Sequence, residues 1–442
     1  MALSGLDIYK LLPKTNCKKC GFQTCLAFAM QLAKKAVSLD KCPLISDEVR
    51  ATLEEASLPA IRLVEIGSGE TKVSVGRETV LFRHEEKFHH PTAVGFIVED
   101  SVCGAELEET FRQIEALRFE RVGELIRGNL VALKQTGPDS RFVEHVRLTA
   151  SRLALPLVLM ASSARGLKEA LLECAGRRPL AYCDNPTQAQ DFVSLCREFK
   201  VPLALRAASL EEFSQTTKKI TASGFFDLVL DIPPLSLADR LWLLTQVRRL
   251  AIKKGDRSLG FPTMAITGAS DAGSVAEASA YLTKYASIIL LRSRRPEHIL
   301  PLLTLRQNIY TDPQKPLQVE PKVYAVGAAS VDSPVLITTN FSLTYYTVLG
   351  EIESSRVPSH LVCMDTEGMS VLTAWAAEKF NAEKISGALG KFKLSEIVRH
   401  KNLIIPGYVA MMSGDLEEQS GWRVIVGPRE ASGLPSFLRN LS

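Results

Sequence analysis

The chain has 442 residues, 46% of them apolar and 23% charged, with a net charge of +4. At ~100–200 residues per domain this length implies two or three domains, and the composition excludes disordered and fibrous classes. The small charge imbalance gives nucleic-acid binding no electrostatic support, and no apolar stretch approaches the ~18 residues of a membrane span.

The opening MALSGLDIYK lacks a basic flank before an apolar core, so a cytoplasmic chain is expected. Its nine cysteines then read as metal ligands or buried thiols rather than disulfides. Cys17, Cys20, Cys25 and Cys42 are spaced C-x2-C-x4-C-x16-C. Closely spaced thiolates on a tight loop reach neighbouring metal atoms, and a distant fourth closes the site after the helical stretch LAFAMQLAKKAVSL. Pro43 follows the last cysteine, as in some ferredoxin runs. Gly21 allows backbone N–H groups to turn toward sulfur, and the lysines at 14, 18, 19, 34, 35 and 41 would offset a cluster's negative charge. A structural zinc site is the rival, but zinc modules usually pair two short knuckles or add histidines, and no histidine precedes His84. The spacing therefore favours a four-iron cluster while leaving zinc open. Cys103, Cys174, Cys183, Cys196 and Cys363 sit singly in apolar surroundings and are expected to be buried.

Residues 61–83 alternate and carry glycine turns, which predicts short antiparallel strands. Apolar runs of strand length follow at 93–98, 130–134, 155–160, 179–183, 201–205, 227–231, 263–267 and 287–291, separated by amphipathic stretches such as 106–121, 186–199, 236–253 and 272–285. This repeat predicts a TIM (β/α)8 barrel whose continuous apolar strands are covered on both faces. The strand ends offer Glu99, Asp100, Lys134, Asp184, Asn185, Arg206, Asp231, Thr267 and Arg292. Their spacing suits no nucleophile–base pair and no metal, so they read first as polar strand ends.

The prolines at 313, 316 and 321 mark a linker, so a new domain is expected near residue 320. Strand-like runs at 323–326, 335–338, 361–364, 403–405 and 423–426 are followed by small and polar residues, and a helix is expected over 370–380. That pattern predicts an open, doubly wound α/β sheet with a ligand beyond its carboxyl ends. No dinucleotide or P-loop glycine motif accompanies it.

The segments GLDIYKLLPKTNCKKCGFQTCLAFAMQLA, TTNFSLTYYTVLGE, DTEGMSVLTAWAAEKF and GPREASGLPSFLRNL resemble the large (gamma) subunit family of the corrinoid iron–sulfur protein of the acetyl-CoA synthase/CO dehydrogenase pathway. The resemblance spans essentially the whole chain. It implies a [4Fe-4S] domain over 1–58 on Cys17, Cys20, Cys25 and Cys42, a TIM barrel over 59–312, and a Rossmann-like corrinoid-binding domain over 320–442. By motif, corrinoid contacts fall on Thr339, Asn340, Ser342, Thr344 and Tyr345; on Gly368, Met369, Ser370, Val371, Leu372 and Thr373; and on Gly407, Gly427, Pro428 and Ala431. Thr373 is implied to lie below the cobalt without ligating it. No D-x-H-x-x-G motif occurs, so the cobalamin-type corrinoid is expected base-off with no protein ligand. The implied function is methyl carriage. Cobalt takes a methyl group from methyltetrahydrofolate, or a related pterin, through a separate methyltransferase and delivers it to acetyl-CoA synthase/CO dehydrogenase. The cluster returns spent Co(II) to Co(I). A small subunit is the implied heterodimer partner. The alternative is a self-contained barrel methyltransferase or reductase with the cluster as electron inlet.

Overall fold

Eight apolar runs form eight parallel strands: β1 (Ala93–Glu99), β2 (Leu130–Lys134), β3 (Leu157–Met160), β4 (Leu180–Cys183), β5 (Leu203–Arg206), β6 (Leu228–Asp231), β7 (Thr263–Ile266) and β8 (Ile288–Leu291). Each pairs with its neighbour in sequence, and β8 closes on β1 with Ile288 opposite Ala93, giving a closed barrel. Several strands begin one or two residues later than the apolar runs suggest, because a proline stands at the entrance. Pro156, Pro202 and Pro262 have no N–H to give, yet their carbonyls accept from Val131, Ala181 and Leu230 on the neighbouring strands.

This computed structural model describes residues 5–33, 36–46, 49–50, 53, 58–121, 124–268, 271–312 and 316–441. The chain divides into two compact units, Met1–Phe119 with Ile126–Tyr310, and Glu120–Leu125 with Thr311–Ser442. Lys34 and Lys35 of the expected helix, and residues 313–315 of the expected linker, lie outside the described residues.

Side-chain alternation sorts the barrel core into two layers. Leu130, Ala132, Val158, Leu180, Ala204, Val229 and Met264 pack with Val64, Ile66, Val73 and Val75 of the hairpin formed by Leu63–Ile66 and Val73–Gly76. Val131, Leu133, Leu157, Leu159, Leu203 and Leu205 face the other way, against helical Phe111, Phe142, Val146 and Phe192. The same parity puts Glu99, Lys134, Tyr182, Arg206 and Asp231 on the inward side at the carboxyl end.

The second unit is built on a five-stranded open sheet: β9 (Val323–Val326), β10 (Val335–Thr339), β11 (Ser359–Met364), β12 (Asn402–Ile405) and β13 (Arg423–Val426). The order is β9-β11-β10-β12-β13, with β9 alone antiparallel. Val335, Ile337, Val362 and Met364 bury against Ile385, Leu389, Leu394 and Leu416 on one face. Leu336, Leu361, Cys363 and Ile404 bury against Tyr345, Ile352, Leu434 and Leu438 on the other. The chain passes from β10 to β11 on one side and returns to β12 on the other, so a crevice opens at the carboxyl ends between β10 and β12. The helix expected over 370–380 is shorter, Val371–Ala376: the N–H groups of Lys379 and Phe380 both turn back to the Ala374 carbonyl.

Candidate functional site

After helix Gly5–Leu11 the chain enters the cysteine loop, where Lys14, Asn16 and Lys18 take φ of 58°, 46° and 62° and Gly21 takes 86°. Left-handed residues in alternation turn backbone N–H groups to one side, the concave form that receives anions and Fe–S clusters. Holding non-glycine residues there costs about 1–3 kcal/mol each. Part of that is offset by the Asn16 carboxamide, which accepts the Cys25 N–H at 2.8 Å where helix Cys25–Ala33 begins. Cys25 and Cys42 are 7% and 4% exposed and pack with Ile8, Leu12, Phe28 and Ile45, whereas Cys17 and Cys20 are half-buried. All four are free thiols. The Lys19 N–H and the Thr15 hydroxyl pull the Cys17 thiol below its ordinary value, which favours the thiolate a metal needs. Among the described residues no three His, Cys, Asp or Glu side chains converge on a single ion. A four-iron cluster takes one thiolate per iron, a wider arrangement than four ligands on one zinc.

The remaining cysteines divide. Cys174, Cys183, Cys196 and Cys363 are buried, and burial raises every one of these thiols, Cys183 to about 11. Cys103 corrects the expectation of burial: it is exposed, in the turn that enters helix Gly104–Ala116.

In the second unit a cleft of ≈ 330 Å³ opens at the carboxyl ends of β10, β12 and β13. Leu336, Thr338, Ile404 and Ile405 contribute from the strands, and Leu343, Thr344, Thr347 and Val348 from helix Ser342–Ser355. Of the contacts expected from sequence, Thr344, Ser370, Val371, Leu372, Gly427, Pro428 and Ala431 line it. Around it Leu343, Leu372 and Tyr408 are 68%, 46% and 45% exposed, a concentration of apolar surface that marks a binding face. Thr338 on the cleft wall carries a buried hydroxyl with no hydrogen-bond partner, as do Thr339 and Ser342 outside the lining, and such a hydroxyl costs ~1–3 kcal/mol unless a ligand satisfies it. An apolar slot with few polar groups on its wall fits a large flat ligand bearing hydrogen-bonding substituents.

The other expected contacts do not line the cleft; most of them shape it. Asn340 is buried, and its Oδ1 accepts from the Thr366 N–H, the Thr366 hydroxyl and the Gly368 N–H at 2.9–3.0 Å. Its Nδ2 donates to Gln318 and Asp365 at 3.1 Å, so the residue is a knot that fixes the 366–370 loop. Gly368 sits within that turn at φ 73°. Tyr345 is buried between Tyr324 and Tyr346. Met369 is half-buried against the opposite core, and exposed Thr373 shares a 3.0 Å hydrogen bond with Ser370. Gly407 is required by close approach: a Cβ there would meet the Gly427 carbonyl oxygen at 2.5 Å, and its N–H donates to Pro428 at 3.1 Å. Leu343, Thr347, Val348, Tyr408 and Arg429 were missed from sequence. Thr347 and Val348 were within reach, since they share the helix face of Thr344 at turn spacing. Tyr408 meets the cleft through a loop contact, a 2.5 Å hydrogen bond to Glu430. His360 and His400 bond the Ser330 and Ser333 carbonyls at the amino end of the sheet, away from the cleft.

Several charged groups at the barrel mouth pair with one another, while the buried Oδ1 of Asp231 has no partner. Glu99 accepts from Arg292 at 2.8 Å, which holds its carboxyl below the usual range, and Lys134 stands 3.7 Å away. Asp231 accepts from Tyr182 and Arg206, both at 2.7 Å; burial raises its carboxyl to about 6. Burial also opposes ionisation of Asp100, but Thr136, Gly137 and Arg141 donate to it and hold it low. Asn185 caps Thr187, and Thr267 turns to the Leu290 carbonyl.

Residues 63–438 match the family model described as CO dehydrogenase/acetyl-CoA synthase delta subunit, and residues 12–44 match one for an Fe-S cluster. The corrinoid/iron-sulfur protein large subunit of Moorella thermoacetica is 47% identical over 441 residues, 99% of each chain. The acetyl-CoA decarbonylase/synthase complex subunit gamma of Methanothermobacter thermautotrophicus is 36% identical over 100% of both chains, and that of Archaeoglobus fulgidus 36% over 98% of this chain and 97% of its own. Among solved structures, the 7,8-dihydropteroate synthase of Vibrio fischeri overlays 55% of this chain and 97% of its own, at 15% identity and a TM-score of 0.41. The first family model starts beyond the cysteine loop, whereas the full-length relatives span it. The chain belongs to the family that groups corrinoid/iron-sulfur protein large subunits with acetyl-CoA decarbonylase/synthase gamma subunits.

Proposed function

We propose that this chain is a methyl carrier of the acetyl-CoA pathway, holding a [4Fe-4S] cluster within residues 1–58 and a base-off corrinoid on a Rossmann-like domain over 320–442, with the barrel of 59–312 between them in sequence. The observation that carries this reading is the pairing, in one chain, of four free N-terminal thiols with an apolar cleft in which the buried Thr338 hydroxyl lacks a partner. When bound, the corrinoid supplies a cobalt centre that takes up and releases a methyl group, and the cluster supplies single electrons.

The chain's own work is positioning. Cys25 and Cys42 would hold the cluster from the buried side and Cys17 and Cys20 from the exposed edge. Leu343, Val348 and Leu372 offer apolar surface to the macrocycle, while Thr338, Thr344 and Ser370 offer hydroxyls to its amide substituents. Asn340 keeps the loop bearing Ser370 in place. The two histidines of this unit are occupied at the far end of the sheet, which supports a lower face without a protein ligand.

The exposed apolar rim supports a covering partner, for which the small subunit of the corrinoid iron–sulfur protein is proposed. A methyltetrahydrofolate:corrinoid methyltransferase and acetyl-CoA synthase/CO dehydrogenase would be the transient partners, in the cytoplasm. Among the described residues no helix is long and apolar enough to cross a membrane. The self-contained barrel enzyme is not favoured, because the full-length relatives are corrinoid/iron-sulfur protein large subunits and acetyl-CoA decarbonylase/synthase gamma subunits. Corrinoid titration followed by visible absorbance tests the proposal: saturable binding that Leu343→Asp weakens at least tenfold is expected. Wild-type affinity in that variant would overturn the placement.

A further inference from the structure

We infer that the lysine-rich edge of the cysteine loop is a docking surface for an acidic protein that delivers single electrons. This rests on the reading of the four N-terminal cysteines as cluster ligands. Between Asp7 and Asp40 the sequence has no acidic residue, but it has Lys10, Lys14, Lys18, Lys19, Lys34 and Lys35. The two bounding acids are already engaged, Asp7 by Lys10 at 2.9 Å and Asp40 by Arg50 at 2.5 Å. Among the described residues, exposed Lys14, Lys18 and Lys19 form no ion pair; Lys14 only approaches the Tyr9 ring, at 5.6 Å.

Burial gives the site a direction. Cys25 and Cys42 face the module's core, and Cys17 and Cys20 reach the surface. Lys18 and Lys19 are the two residues between the surface pair, and Leu26 and Leu44, each within two residues of a buried cysteine, are exposed. An electron arriving from outside has its shortest path through this edge.

Lysines that served only to offset cluster charge would matter most where water is absent. Here they crowd the edge that water already screens, where a fixed positive charge instead steers an oppositely charged protein. The transfer moves one electron: the donor is oxidised by one, this chain's cluster is reduced by one, and no bond or proton moves.

The test uses full-length protein with its cluster, an acidic ferredoxin as protein donor and reduced methyl viologen as cationic small donor. Lys18→Glu/Lys19→Glu is expected to slow reduction by the ferredoxin ~10-fold at low salt, with the difference vanishing at high salt. Calorimetric affinity for oxidised ferredoxin should fall in parallel, while methyl viologen reduces the variant at least as fast as wild type. The ratio of the two rates is the readout, because a lowered cluster potential slows both donors alike. An unchanged ratio overturns the docking surface. Preparations are compared only at wild-type iron content, and Lys14→Glu with Lys18→Gln/Lys19→Gln serves if the double reversal fails to assemble a cluster. Wild-type protein that holds no iron would instead refute the cluster reading itself.

Discussion

Replacing Asn340 by alanine separates scaffolding from ligand contact. The side chain is buried, and its loss strands the Thr366 and Gly368 N–H groups inside the 366–370 loop. At ~1–3 kcal/mol for each stranded donor the penalty is about 2–6 kcal/mol. With an m-value of ~2 kcal/mol/M, the urea midpoint of this unit should fall by ~2 M. Trp375 and Trp422 report on this unit, and Trp242, 55% exposed on a barrel helix, is replaced by phenylalanine to silence the other. Asn340→Asp keeps the acceptor for both N–H groups but brings a second carboxylate against Asp365, where the carboxamide now donates at 3.1 Å. That variant should approach wild-type stability only at acidic pH. A midpoint shift below ~0.5 M for Asn340→Ala, with corrinoid affinity nonetheless reduced, would show that Asn340 touches the ligand and that the knot is incidental.

Three further outcomes are expected. Thr338→Val should leave the ligand-free protein as stable as wild type or slightly more so, since it removes an unpartnered buried hydroxyl, yet weaken corrinoid binding ~5-fold by spectroscopic titration. Cys20→Ala should lower iron content and visible charge-transfer absorbance while corrinoid affinity stays at the wild-type value. For Asp231, a folded carboxyl at about 6 against ~3.9 unfolded binds its proton more tightly when folded, so its stabilisation is full below pH ~4 and lost as pH rises through about 6. The stability difference between wild type and Asp231→Asn should therefore fall across that window, by at most ~3 kcal/mol, and stay level above it; a flat difference in urea melts at each pH would refute the burial argument.

The barrel was legible because each strand is a continuous apolar run, which only a parallel sheet covered on both faces requires. Strand starts were less so, since the prolines at 156, 179 and 202 move the first ladder residue without changing the hydrophobic pattern. The crowding of four cysteines in one short segment was legible from spacing. The segment's polarity, two thiols inside and two at the edge, was not, because it depends on how Phe28 and Ile45 close over Cys25 and Cys42. Loops rich in small residues pointed to the carboxyl ends where the cleft opens. They did not separate residues that line the cleft from those that brace it. Asn340 and Ser370 look alike as polar loop residues, and only their hydrogen-bond partners tell scaffold from surface. Cys103 was misread for a related reason: an apolar neighbourhood in sequence does not reveal which side of the chain faces solvent where it enters a helix.

The central claim is that one chain holds two cofactors in separate places. The most direct test measures iron and cobalt per chain in protein purified anaerobically, for wild type, for Cys17→Ala/Cys20→Ala/Cys25→Ala/Cys42→Ala and for Leu343→Asp. Iron at ~4 per chain with equimolar cobalt is expected for wild type. Iron should be lost alone in the cysteine variant, and cobalt alone in the cleft variant. Zinc in place of iron, or loss of cobalt when only the cysteines are removed, would contradict it.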